Sequence, residues 1–127
     1  MRVFAKCLAW LAAMLLSFNA SAGSMPYDKA AFDQAVAAGE PVIVHFHADW
    51  CPTCRAQAPI VSELLGQAKM KPVKFFAANF DTERTLKKAL NVSTQSTFVV
   101  FKGGSEVTRS TGVTQRAGIE AVFDKAL

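Results

Sequence analysis

Three observations predict an α/β fold, specifically a three-layer α/β/α sandwich with a central mixed sheet. Short runs of apolar, β-branched and aromatic residues recur along the chain, as expected for buried strands. Segments with apolar residues at helical spacing separate these runs. Two adjacent glycines, Gly103 and Gly104, predict a hairpin that closes the sheet. Elements in this order pack as helices on a sheet, and 127 residues suffice for one domain.

The first half of the pattern is a helix, a strand and a second helix. Residues 28–38 predict a short helix that ends at Gly39. The apolar residues at 42–46 suit a buried central strand. Residues 52–68 predict the second helix, and Pro59 inside it removes one intrahelical hydrogen bond and should kink it.

The second half completes the order α-β-α-β-α-β-β-α. The predicted elements are a strand at 73–80, a helix at 82–90, a strand at 97–101, an edge strand at 106–111 and a terminal helix that ends near residue 126. Asp81 or Thr82 is placed to cap the middle helix, Asn91 to end it, and Thr114 to cap the terminal one.

The N-terminus has the pattern of a secretory signal. Arg2 and Lys6 precede an apolar run, and Ala20-Ser21-Ala22 is the small-x-small pattern of a cleavage site. An uncleaved anchor or a buried helix is the alternative, but the run is shorter than the ~20 residues that span a bilayer. We therefore expect residues 1–22 to be a cleaved signal peptide, and residues 23–127 to be one periplasmic domain.

Charge and cysteine content narrow the function classes. The formal net charge is +4, of which the predicted signal carries two, and so small a charge argues against a nucleic-acid binder. Cys7 would leave with the signal, so Cys51 and Cys54 would be the remaining cysteines. A disulfide between them closes too small a ring to add much stability. Export would place them where disulfides persist, so a redox function fits better than a structural one.

The segment 50–55, Trp-Cys-Pro-Thr-Cys-Arg, lies between the first predicted strand and the second helix, as in a C-x-x-C redox motif beside a β-α unit. Cys51 would face the unpaired N–H groups at the start of the helix, which favour the attacking thiolate. Cys54, one turn later, can reach Cys51 and resolve a mixed disulfide. Pro52 suits the first helical turn because it needs no N–H partner.

Metal binding is the alternative use of the same cysteines. A structural zinc site would need further ligands, and His45 and His47 on the preceding strand are poorly spaced to supply them. A copper or soft-metal module built from Cys51, Cys54 and His47 remains the competing function. The leading prediction is a thiol–disulfide oxidoreductase with no resident metal and no cofactor.

The chain resembles the thioredoxin family along nearly all of the predicted mature domain. Residues 42–54 are similar to the family's active-site strand and loop, and residues 79–81 to the end of its next strand. Residues 97–104 resemble its later strand and hairpin.

The resemblance implies a thioredoxin fold in which Cys51 attacks, Cys54 resolves and Trp50 packs beside them. Pro52 and Thr53 resemble the inner pair of exported thioredoxin-like reductants that serve cytochrome c maturation. We therefore expect a reductase that exchanges disulfides with protein substrates and has a membrane electron donor, although a role in disulfide oxidation also fits the motif. We also expect a monomer.

One departure from the family lies in the segment expected to dock substrate, Gln95, Ser96 and Thr97. Thioredoxins usually carry a cis-proline where this chain has Ser96. A cis bond before serine costs about 2.5–4 kcal/mol, so a trans bond is expected. The serine hydroxyl either alters docking or bonds the Cys51 thiolate, and a tolerated loop variation is the alternative.

Two histidines are further departures. His45 replaces a buried aspartate that moves protons for the resolving cysteine, and Ala77 replaces that aspartate's usual lysine partner. His45 either accepts the Cys54 proton near neutral pH or is a neutral core histidine. His47 replaces a common tryptophan and shares a sheet face with His45. A charged imidazole there would lower the pKa of Cys51, and a partly exposed polar replacement is the alternative.

Overall fold

The structure is a computed structural model, and it describes residues 23–127. The predicted signal peptide and Cys7 lie outside the described residues. In chain order the elements are β1 (Ser24–Pro26), α1 (Lys29–Ala37), β2 (Val42–His47), α2 (Pro52–Leu65), a short 3-10 turn (Ala68–Met70), β3 (Lys74–Asn79), α3 (Arg84–Leu90), β4 (Thr97–Lys102), β5 (Ser105–Thr111) and α4 (Arg116–Asp124).

The five strands form one mixed sheet in the order β1-β3-β2-β4-β5. Strand β2 is central, as predicted, and runs parallel to β3 and antiparallel to β4. His45 of β2 is paired with Ala77 on one side and with Phe98 on the other. Residues 42–46 are all buried, because both faces of the sheet are covered by helices.

The alternation of side chains along β2 divides the core into two layers. Ile43 packs on the face covered by α2 and α4, whereas Val42 and Val44 pack on the face covered by α1 and α3. His45 and His47 therefore share the α2 face, as their two-residue spacing predicts. The sandwich of three layers that the sequence predicts is confirmed. Within the described chain, no helix combines the length and apolar character needed to cross a bilayer.

Strand β1 is absent from the sequence-based prediction. It has three residues, Ser24–Pro26, all exposed, and it pairs in parallel with the outer edge of β3. A segment this short shows neither an apolar run nor a clear alternation, so no periodicity marks it. The strand exists because the unpaired edge of β3 offers it backbone partners.

Both predicted N-caps in the second half are wrong. Helix α3 begins at Arg84 after Glu83, because the Asn79 side-chain oxygen accepts hydrogen bonds from the N–H groups of Asp81 and Thr82 and holds that turn outside the helix. Helix α4 has Gln115 as its N-cap and not Thr114, and the Gln115 side chain makes no capping bond.

The structure confirms the predicted end of α3 but not that of α2. Asn91 ends α3 in the left-handed conformation with φ of 54°, as its predicted C-cap role requires. Helix α2 contains Pro59 as predicted but ends at Leu65, and the rest of the predicted span is the turn Ala68–Met70. Gly103 and Gly104 form the predicted hairpin turn with positive φ angles of 62° and 87°.

The α2 and α4 layer should depend strongly on Phe123. This fully buried ring packs edge-on against Phe98, with centroids 5.3 Å apart, and also contacts Phe75. Phe123→Ala should lower the free energy of unfolding by about 3–5 kcal/mol, because it removes the buried ring and leaves a cavity. Urea denaturation measures this change. Val107→Ala, at a 47% exposed strand position, should change it by less than ~0.5 kcal/mol; equal losses in the two variants would contradict this packing.

Candidate redox site

The site lies where the central strand gives way to helix α2. Cys51 is the N-cap of α2, with Pro52 at the first helical position. The Cys51 Sγ accepts a hydrogen bond of 3.1 Å from the backbone N–H of Cys54. The Cys51 carbonyl accepts another from the N–H of Arg55, at 3.2 Å. The predicted placement of the pair at the helix N-terminus is confirmed, and both cysteines are free thiols in this structure.

A serine hydroxyl bridges the two sulfurs. The Oγ of Ser96, in the loop before β4, lies 3.1 Å from the Sγ of Cys51 and 3.1 Å from the Sγ of Cys54. Among residues 23–127 no peptide bond is cis, so the Gln95–Ser96 bond is trans, as expected. Ser96 instead takes the left-handed conformation with φ of 63°, which is unfavourable for a residue with a Cβ. The sequence suggested a bond to Cys51, but not the bridge to both sulfurs.

The hydrogen bonds around the pair shift the pKa values of the two thiols in opposite directions. Burial raises the pKa of Cys51, but hydrogen bonds from the Cys54 thiol, the Ser96 hydroxyl and the N–H groups of Cys54 and Thr53 outweigh it, so the net pKa lies below the ordinary value. Burial and the bond to Cys51 raise the pKa of Cys54. The arrangement therefore favours a thiolate at Cys51 and a thiol at Cys54.

His45 is a buried side chain behind the pair. Its ring stacks on Phe98 with centroids 4.3 Å apart, and its Nε2 lies 2.9 Å from the Oε1 of Gln57. Burial lowers the pKa of His45 to about 4, although the bond to Gln57 opposes this shift. The ring is therefore neutral at physiological pH. These contacts match the neutral core histidine, and transfer of the Cys54 proton to His45 stays a prediction that so low a pKa disfavours.

A cavity of about 570 Å³ opens beside the resolving cysteine. Its lining includes His45, His47, Cys54 and Ala77. The two imidazole rings are 6.1 Å apart, and His47 is half-buried. The small side chain at Ala77, in the place of the family's lysine, leaves space in front of the histidines.

The rim of the site is set by contacts between loops. Trp50 is 55% exposed, and its indole N–H donates a 2.8 Å hydrogen bond to the Asp81 carboxylate. The guanidinium of Arg55 donates to the Asp49 carbonyl, so it braces the loop before Cys51. Trp50 is thereby fixed in orientation while most of its ring stays available for contact.

The remaining predicted site residues lie around the pair with different contacts. Thr53 contributes its backbone N–H to the Cys51 thiolate. Gln95 is half-buried beside Ser96. Thr97 is buried, and its hydroxyl bonds the Thr94 carbonyl at 2.7 Å and the Thr111 hydroxyl at 2.9 Å. The Thr97 side chain therefore joins β4 to β5.

Gln57 lies behind the cysteine pair but was not predicted from the sequence. This side chain is fully buried, on the same helix face as Cys54 and one turn after it. A glutamine at a core position of a helix is unusual, because its amide must find buried partners. A glutamine at a core position of α2 was therefore the one feature of the sequence that could have indicated a buried polar contact here.

The metal alternative finds no support in the geometry. Within residues 23–127, no group of three or more His, Cys, Asp or Glu side chains is placed to hold a metal ion. Cys51, Cys54 and His47 therefore do not form the three-ligand set that the copper hypothesis requires.

The buried His45 should make stability depend on pH. Its pKa is about 4 in the folded chain against 6.5 for an ordinary histidine, so between these values the unfolded chain binds a proton that the folded chain does not. The free energy of unfolding should therefore fall as the pH drops from 6.5 to 4, by up to ~3 kcal/mol from this group. Urea denaturation at pH 7 and pH 4.5 measures the change. His45→Gln should show a shallower dependence; identical slopes would contradict the assignment.

The sequence of this chain is similar to those of thioredoxins. A model of the Thioredoxin family matches residues 24–125. Thioredoxin-2 of Saccharomyces cerevisiae is 32% identical over 92 residues, which cover 72% of this chain and 86% of that protein. Thioredoxin of Alicyclobacillus acidocaldarius is 31% identical over 98 residues, covering 77% and 92%. The chain spans less of some relatives, such as 64% of thioredoxin Asp f 28 of Aspergillus fumigatus, at 38% identity over 71 residues.

Solved structures agree with this result. The crystal structure of Trxlp from Edwardsiella tarda EIB202 superposes with a TM-score of 0.77 and 38% identity, covering 80% of this chain and 98% of that one. Oxidised thioredoxin O2 from Arabidopsis thaliana gives a TM-score of 0.67 at 26% identity, covering 84% and 94%. The family match over residues 24–125 and the two well-covered thioredoxins confirm the resemblance: the chain belongs to the thioredoxin family, whose members are thiol–disulfide oxidoreductases.

Proposed function

We propose that this protein is an exported reductase of disulfide bonds in other proteins, with Cys51 as the nucleophile and Cys54 as the resolving cysteine. The observation that carries the proposal is the position of the Cys51 sulfur. It caps α2, where the N–H of Cys54 and the hydroxyl of Ser96 lie within hydrogen-bond distance. These donors stabilise the thiolate, which is the attacking species in disulfide exchange.

The reaction proceeds in two exchanges. The Cys51 thiolate attacks one sulfur of the substrate disulfide, which forms a mixed disulfide and releases the other substrate sulfur as a thiolate that takes a proton from water. Cys54 then loses its proton to solvent and attacks the Cys51 sulfur. The mixed disulfide breaks, the second substrate thiolate leaves and is protonated, and a Cys51–Cys54 disulfide remains. Counted from the neutral dithiol, the protein has supplied two electrons to the substrate. The two protons that Cys51 and Cys54 released to solvent balance the two that the substrate thiolates took up.

Access to the nucleophile requires a local displacement. The Cys51 side chain is only 1% exposed, so the substrate must displace a covering group before its sulfur reaches Cys51. The exposed Trp50 ring and the half-buried Gln95 lie beside the pair and offer the contact surface. The Ser96 N–H and carbonyl are already hydrogen-bonded within the fold, so an extended substrate segment would bond to main-chain groups of Gln95.

Direction and compartment rest on the sequence. The N-terminal pattern of residues 1–22 supports export to the periplasm, where disulfides persist. The inner pair Pro52 and Thr53 resembles that of exported reductants. A reductase in that compartment must itself be reduced after each turnover, so the proposal includes an electron donor at the membrane. A monomer suffices, because a single chain carries both cysteines.

Substitution of each cysteine tests the assigned order of attack. Mature Cys54→Ser, incubated with insulin as a disulfide substrate, should form a stable mixed disulfide through Cys51, because nothing resolves it. Mature Cys51→Ser should form none, and both variants should lose catalytic turnover to the background level. Non-reducing electrophoresis and mass spectrometry detect the adduct and its site, and insulin reduction with dithiothreitol as donor measures turnover. Val107→Ala, remote from the site, should reduce insulin as the unsubstituted protein does.

Two outcomes would contradict the proposal. If the unsubstituted protein neither reduces insulin nor exchanges with a glutathione buffer, it is not an oxidoreductase of this kind. If the adduct forms on Cys54 in Cys51→Ser and not on Cys51 in Cys54→Ser, the order of attack is reversed.

A further inference from the structure

Gln57 connects three parts of the fold behind the cysteine pair. Its Nε2 donates hydrogen bonds to the carbonyls of Ser96, at 3.3 Å, and Val113, at 2.9 Å. Its Oε1 lies 2.9 Å from the Nε2 of His45. Because the two carbonyls can only accept, the amide nitrogen must face them and the amide oxygen must face the histidine. The neutral His45 ring therefore carries its hydrogen on Nε2, and this N–H donates a hydrogen bond to the Gln57 Oε1.

The Ser96 backbone is held by three hydrogen bonds. Its N–H donates to the Phe46 carbonyl at 2.8 Å, and its carbonyl accepts from Gly112 at 3.0 Å and from Gln57. The left-handed conformation of Ser96 is unfavourable for a non-glycine residue, so it persists because these contacts fix it. Gln57 is the side chain among these partners, and it sits on the same helix as Cys54.

This conformation determines where the Ser96 hydroxyl points. A hydroxyl carries one hydrogen and can donate it to one sulfur at a time. At 3.1 Å from both sulfurs, the Ser96 hydroxyl donates to the Cys51 thiolate in the reduced protein, to which the Cys54 thiol also donates its own hydrogen. Once Cys51 is bound in a mixed disulfide, the same hydrogen is free to turn toward Cys54. A displacement of the loop would weaken both contacts together.

We propose that Gln57 is a positioning residue for the redox pair, which holds Ser96 so that its hydroxyl bridges Cys51 and Cys54 and stabilises each thiolate in turn. Gln57 touches neither sulfur and acts through Ser96. His45 supports it by fixing the amide oxygen from the opposite side. The proposal deepens the function proposed above, since it concerns the same pair, but it describes the acidity of the sulfurs and needs no substrate.

A double-mutant cycle between Gln57 and Ser96 tests this directly. The variants are Gln57→Met, which keeps the length of the side chain but loses its hydrogen bonds, Ser96→Ala, and the two combined. The readout is the rate of Cys51 alkylation by iodoacetamide as a function of pH, in the Cys54→Ser background so that one thiol is followed. Ser96→Ala should raise the apparent pKa of Cys51 by half a unit or more, which is about a threefold lower rate at pH values below the pKa.

Gln57→Met should also raise the apparent pKa of Cys51, and the combined variant should have the same pKa as Ser96→Ala alone. Coupling of this kind means that the two residues act through one contact. An unchanged pKa in Gln57→Met, or a full further shift when Ser96 is already alanine, would overturn the proposal. Gln57→Asn, whose amide is one methylene too short to reach Ser96, gives the same test with a polar side chain if Gln57→Met does not fold.

Val61→Ala is the matched control for a general loss of stability. Val61 is buried on the same helix, one turn after Gln57, and packs in the apolar core. The variant should lower the Tm without shifting the pKa of Cys51, and an equal shift there would mean that the effect of Gln57 is merely structural. Insulin reduction by the unsubstituted protein is measured alongside. If insulin is not reduced but the Gln57 and Ser96 substitutions shift the pKa of Cys51 through one contact, the reductase function is rejected and the positioning role is not. If insulin is reduced but the two substitutions do not show this coupling, the positioning role alone is rejected.

Discussion

The hydrogen bond from the Cys54 N–H to the Cys51 sulfur is the contact on which the site depends. It exists because the central strand β2 ends just before the motif, and Pro52 then starts a helix with Cys51 in the N-cap position. A serine or aspartate usually fills this position with an oxygen acceptor; here a sulfur accepts the bond at 3.1 Å. The same interaction that begins the helix thereby stabilises the thiolate, so folding and chemistry share one contact.

Ser96 gives this member of the thioredoxin family a different environment around its sulfurs. A proline has no side-chain donor, whereas the serine hydroxyl contacts both sulfurs at 3.1 Å. A donor to the thiolate stabilises the dithiol form over the disulfide, which makes the pair more oxidising than it would be without that donor. Behind the pair, the neutral His45 and the small Ala77 replace a charged acid and base. The site therefore controls acidity through neutral hydrogen-bond donors.

The sequence was informative wherever one strong local preference dominates. The apolar run that became β2, the glycines of the hairpin and Asn91 at the end of α3 were all predicted, because periodicity or a left-handed residue marks each of them. The C-x-x-C motif also showed its place at a helix start. These features depend on near neighbours in the chain, and local sequence is enough to specify them.

Contacts between distant segments were not predictable in the same way. Strand β1 forms because the edge of β3 is available, and the start of α3 is displaced because Asn79 captures two N–H groups. Gln57 acquires its role from carbonyls that lie far along the chain, and the low pKa of His45 follows from its burial in the folded chain. Each outcome depends on tertiary packing, which no spacing within the sequence encodes.

We propose that the Cys51–Cys54 pair works as a reductant even though Ser96 stabilises the Cys51 thiolate. The reduction potential of the pair, measured by equilibration of the mature protein with glutathione buffers and mass spectrometry of the trapped states, tests it most directly. We expect a value between about −270 and −200 mV, the range of thioredoxins and glutaredoxins. A value near −120 mV, typical of a strong disulfide oxidant, would contradict it.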